Sequence, residues 1–104
     1  MTREPYAIIL SDEAIEHLDQ LEAGERTAVF SALEKQLRYE PATPTRNRKP
    51  MDPERAFYVA PWELRVGTLR VYYGVDEEDR TVDIAAIGRK VREKVQIGGE
   101  WIEP

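Results

Sequence analysis

Cysteine is absent from the 104 residues, and histidine occurs once, at His17. The first absence removes disulfide staples and thiolate metal ligands, and the chain needs no oxidising compartment. The second leaves a zinc site with little but carboxylates, a rare set, so no metal and no cofactor are expected. Long apolar runs are missing as well. No stretch approaches the roughly 20 residues that span a bilayer, and Met1-Thr2-Arg3-Glu4-Pro5 leads straight into a strand-like run, so neither a membrane segment nor a signal peptide is expected. Gly98-Gly99 stands alone, which excludes a glycine-rich nucleotide loop, and there is no HExxH or EF-hand pattern. Positive charge is in deficit: 15 Lys and Arg face 20 Asp and Glu, and the net charge of −5 by itself argues against nucleic-acid binding.

What is present fits one compact domain over residues 1–104, in the cytoplasm, with 41% hydrophobic and 34% charged residues. The charge is unevenly spread. Residues 1–40 hold 4 basic and 9 acidic side chains, residues 41–74 hold 6 and 3, and residues 75–104 hold 5 and 8, so only the middle segment is positive. A second basic island, Arg89, Lys90, Arg92 and Lys94, surrounds a lone Glu93.

Tyr6–Leu10 has strand composition, and Ser11 before Asp12 and Glu13 is a helix N-cap signal. Ala14, Ile15, Leu18 and Leu21 form the stripe of a first helix ending near Ala23-Gly24. Val29, Phe30, Ala32, Leu33 and Leu37 mark a second helix, from about Glu25 to Arg38, stopped by Pro41. Residues 41–56, with four prolines, carry no period and are expected to be a long loop. Strands are then expected at Phe57–Ala60, Trp62–Val66, Leu69–Val75 and Thr81–Ile87, with a last one at Val95–Ile97; Glu100–Glu103 alternates without a clear place. The expected fold is α+β, two N-terminal antiparallel helices packed on a small, mainly antiparallel sheet in the order β-α-α-β-β-β.

His17 reads as a polar helix residue without a role, and Asp76–Asp79 as a solvated acidic turn. The remaining chemistry is basic and aromatic. Arg65 and Arg70 lie on adjacent strands, Tyr72 shares a face with Arg70, and Arg89 and Lys90 follow the next strand. Guanidinium groups projecting from neighbouring strands suit a phosphate; alternatively they pair across the sheet with Glu63 and Asp83. Arg46, Arg48 and Lys49 are either a binding arm or a solvated loop.

Tyr6–Leu10 followed by Ser11-Asp12-Glu13-Ala14, the element Leu64-Arg65-Val66-Gly67-Thr68-Leu69-Arg70-Val71-Tyr72-Tyr73, and Ile87-Gly88-Arg89-Lys90 together resemble the RelE/ParE family of toxins of bacterial type II toxin–antitoxin systems. The likeness runs over about residues 6–97. It implies a cognate antitoxin partner, with DNA reached only through that antitoxin, and a metal-independent endoribonuclease acting on mRNA at the ribosome. Arg70, Lys90 and Arg65 then match catalytic positions, with Arg46, Arg48, Lys49, Tyr72 and Arg89 contacting substrate. Trp62 and Glu63 stand where the ribonuclease branch has a lysine pair, and Gln96 where it has a tyrosine. Those departures keep two alternatives open: a non-enzymatic, ParE-like inhibitor of DNA gyrase, or a catalytically degenerate binding member.

Overall fold

A computed structural model describes residues 4–51, 60–92, 94–98 and 100–102. Strand β1 (Ala7–Leu10) runs directly into Ser11, whose Oγ accepts the N–H of Ala14 at 3.0 Å and caps helix α1 (Asp12–Asp19). Helix α2 (Ala23–Leu37) begins earlier than the glycine signal predicted, and Gly24 lies in its first turn rather than in the connection. The cause is a capping box: the N–H of Glu22 donates to Glu25 Oε1 at 3.1 Å, and the Glu22 side chain answers the N3 backbone. Arg26 Nη1 donates to the carbonyl of Leu21 at 2.6 Å, tying the connection to the helix.

Ala14 and Leu18 are buried on α1, and Val29, Leu33 and Leu37 on α2, each set at intervals of four. Ile15 and Phe30, which the sequence places on the same stripes, remain 45% and 47% exposed because they sit one position off these narrow seams.

The sheet has more strands than expected. After the helices come β2 (Arg48–Pro50), β3 (Trp62–Val66), β4 (Leu69–Asp76), β5 (Thr81–Val91), β6 (Lys94–Ile97) and β7 (Glu100–Ile102). They form an antiparallel run β2-β3-β4-β5-β6-β7, with β1 lying parallel against β5. The order β-α-α-β-β-β is thus extended to six strands after the helices. β2 falls in the expected loop, too short to show a period and held by its ladder with β3. The expected strand at Phe57–Ala60 lies outside the described residues except for Ala60, which is buried.

Strand β5 is the hub. β4 covers one of its edges; along the other, β1 pairs with Thr81–Ile84 and β6 with Gly88–Val91. A bulge sets Tyr72 opposite Ala86 and Tyr73 opposite Ile84. Leu64, Leu69, Val71, Tyr73, Val82, Ile84 and Ile87 therefore pack with the helices, while Tyr72, Ala86, Val95 and Ile97 cluster on the far side. His17 turns out to have a structural place, its Nδ1 accepting the N–H of Ile87 at 3.1 Å. Among the described residues no helix is long and apolar enough to cross a membrane.

Candidate functional site

The sheet face turned away from the helices collects the charged residues of four strands. Alternation along β3 puts Glu63 and Arg65 there, with Leu64 in the core; along β4 it puts Arg70 and Tyr72 there, with Val71 in the core. Arg65 and Arg70 are direct partners across the ladder, and Glu63 and Tyr72 are the next rung on that face. On β5, Ala86 and Gly88 oppose Tyr72 and Arg70, so Lys90 continues the same face. Lys49 of β2 is the register partner of Glu63.

Glu63 is the centre of this cluster. Its side chain is 11% exposed, and its Oε1 lies 3.6 Å from Lys49 Nζ and 3.9 Å from Arg70 Nε. Arg70 is 7% exposed, and its Nη1 donates to the carbonyls of Gly67 at 2.7 Å and Leu69 at 2.8 Å, so it braces the β3–β4 turn. Burial, and secondarily the like charge of Arg65, lowers the Arg70 pKa, while Glu63 works in the opposite direction. Tyr72 is fully buried; burial above all, then the Glu63 carboxylate, pushes its phenol well above the usual value, against the pull of Arg70. The hydroxyl therefore stays protonated near neutrality and can act as a hydrogen-bond donor but not as a base.

Of the residues singled out in the sequence, Arg65, Arg70, Tyr72, Lys90 and Lys49 come together. Arg65, Lys90 and Lys49 are exposed on this face, and neither Arg65 nor Lys90 makes an ion pair among the described residues. Arg48 turns to the other side, buried, with Nη1 donating to the carbonyl of Gln36 in α2. Arg89 also faces the helices, 2.6 Å from Glu25. Both lie within strands, where alternation sends neighbours to opposite faces. Arg46 is exposed in the loop before β2. In the sequence Glu63 stands as a salt-bridge partner and as a departure from the lysine pair of the ribonuclease branch; its place between two cations depends on β2, whose pairing no local pattern reveals. Among the described residues no three His, Asp or Glu side chains gather closely enough to hold a metal ion.

No protein-family model matches the chain, and no curated protein matches it. Solved structures do. A chain of the toxin–antitoxin complex RelBE2 from Mycobacterium tuberculosis is 27% identical, with a TM-score of 0.64 over 83% of this chain and 99% of that one. A chain of the archaeal RelE–RelB complex from Pyrococcus horikoshii is 18% identical, with a TM-score of 0.67 over 84% of this chain and 97% of that one. The architecture is thus the two-helix α+β class of toxins found in toxin–antitoxin complexes. Within that class the chain is RelE-like, as its Leu-Arg-Val-Gly and Ile-Gly-Arg-Lys elements implied.

Proposed function

We propose that this chain is a single-domain, cytoplasmic toxin of a type II toxin–antitoxin system, held inactive by a cognate antitoxin, and that it cleaves mRNA on the ribosome without metal. The observation that carries the reading is the Arg65–Arg70 rung beside the Glu63–Tyr72 rung, with Lys90 on the adjacent strand. The RelE–RelB likeness supports the partner.

In this reading the exposed cations Arg65 and Lys90 hold the scissile phosphate and neutralise the charge that grows on its oxygens. Such preorganised donors are worth roughly a hundred- to a thousandfold each. Glu63 takes the proton of the ribose 2′-hydroxyl as that oxygen attacks phosphorus; the P–O5′ bond breaks, leaving a 2′,3′-cyclic phosphate, and the departing 5′ oxygen takes a proton from solvent water. Arg70 positions Glu63 and the turn rather than touching RNA, and protonated Tyr72 donates into the same cluster. Lys49 and Arg46 guide the strand electrostatically.

The test is induction of the gene alone and with its neighbouring small gene, followed by mapping of RNA ends. Codon-phased cuts in the first culture and none in the second are expected. The burial of Arg70 and Tyr72 favours one competing reading, a ParE-like gyrase inhibitor that works by binding. Growth arrest with DNA-damage signalling and no new RNA ends would decide for it.

A further inference from the structure

Two features of the sequence have no part in that site: the basic residues after Lys90 and the alternating segment around Trp101. The fold brings them together. Val91 pairs with Lys94 and Gln96 with Trp101, so Val91, Lys94 and Trp101 share the sheet face opposite Lys90, and Arg92 occupies the turn between β5 and β6. These four residues line an open groove of about 730 Å³. Its apolar members are open to solvent, Val91 43% and Trp101 53% exposed.

Arg92 has φ of 59°, in the left-handed region that glycine and asparagine occupy at lower cost in a hairpin turn. An arginine kept there sets a guanidinium at the hairpin tip, where it makes no ion pair among the described residues.

We propose that this groove is a subsite for single-stranded RNA: one nucleobase stacks on the Trp101 indole against Val91, and flanking phosphates are taken by Arg92 and Lys94. An aromatic platform bordered by cations is the general solution for unpaired nucleotides, because every base offers a π-face and every linkage an anion. The inference rests on the ribonuclease reading: a strand whose phosphate is held by Lys90 passes over the hairpin tip at Arg92 to reach the groove on the opposite face of the sheet. An acidic, apolar peptide is the competing occupant of the same floor, and the poly-glutamate arm of the experiment decides between the two.

The experiment uses the full chain and a short single-stranded RNA carrying 2′-O-methyl at every ribose, which cannot be cleaved through its 2′ oxygens. In a Trp62→Phe background Trp101 is the remaining indole, and its fluorescence should be quenched saturably. Followed by the anisotropy of a fluorescein label on the RNA, since these variants lack the reporting indole, Trp101→Ala should weaken binding by roughly five- to a hundredfold, with Trp101→Phe retaining most of the affinity. The double change Arg92→Ala and Lys94→Ala should reduce the slope of log affinity against log salt by about 1.4. Absence of saturable quenching, equal affinity in Trp101→Ala, or quenching by a poly-glutamate peptide as strong as by RNA would overturn the proposal. RNA binding through Trp101 without cut ends in cells would remove the ribonuclease reading and leave the groove standing. Cut ends with no dependence of binding on Trp101 would do the reverse.

Discussion

The Nδ1 of His17 and the backbone N–H of Ile87 are joined by a 3.1 Å hydrogen bond at the one stretch of β5 where β1 has ended, at Ile84, and β6 has not begun, at Gly88. One rung earlier the Oγ of Ser11 donates to the carbonyl of Ala85 at 2.9 Å. Side chains of the first helix and its cap thus stand in for a missing strand.

A ring nitrogen accepts only when unprotonated. Burial holds the His17 pKa below its ordinary value, against the nearby Glu13 and Glu16, which raise it. A depressed folded pKa means that this contribution is complete above the unfolded value of about 6.5 and is lost as pH falls through the lower folded one. Thermal melts from about pH 8 to about pH 5 should show a fall that His17→Asn, whose side-chain oxygen accepts without titrating, reduces. His17→Ala should cost about 1–3 kcal/mol above about pH 6.5, since it leaves the Ile87 N–H unpaired, and less toward pH 5, where the protonated ring no longer accepts.

Arg65 and Arg70 face each other but differ in kind. Arg70→Ala removes two charged hydrogen bonds that hold the β3–β4 turn and should cost about 1.5–3 kcal/mol, read as a lower urea midpoint. Arg65→Ala, at an exposed position, should leave the midpoint within about 0.5 kcal/mol while reducing growth arrest strongly. Equal stability losses in the two variants would contradict the division of labour.

Glu63→Gln keeps the shape and removes the charge between Lys49 and Arg70. With Glu63 as base, RNA cleavage should fall by roughly a hundred- to ten-thousandfold. RNA affinity should hold or rise, because the face becomes more positive.

Gly88 is required by crowding rather than by backbone freedom. A Cβ there would lie 2.8 Å from Ile97 Cγ1 and 2.9 Å from the carbonyl oxygen of Gln96. The second neighbour is backbone of the paired strand and cannot move aside alone. Gly88→Ala should therefore destabilise by about 1–3 kcal/mol and loosen β6, measurable as faster amide exchange at Val95–Ile97.

What was legible in the sequence was local. Ser11 announced its cap, Val29, Leu33 and Leu37 their helical seam, and Leu69, Val71 and Tyr73 their alternation, because each signal is carried by near neighbours. β2 and β7, three residues each, were not legible: strands so short take their conformation from a ladder partner. Nor was the second half of β5, where Gly88 looked like an end and is instead the space into which β6 packs. The site followed the same division. Arg65, Arg70 and Tyr72 were readable as one face, but the faces of Arg48 and Arg89 depended on strands running further than their local patterns indicated.

The parallel pairing of Ala7 with Thr81 closes the sheet between the start of the chain and its last third. During synthesis β1 has no partner until β5 has left the ribosome, so the fold cannot be completed from a fragment that ends before β5, and this sequence-distant contact must wait for it. For a protein proposed to halt translation, this ordering ties completion of the fold to translation of most of its own message.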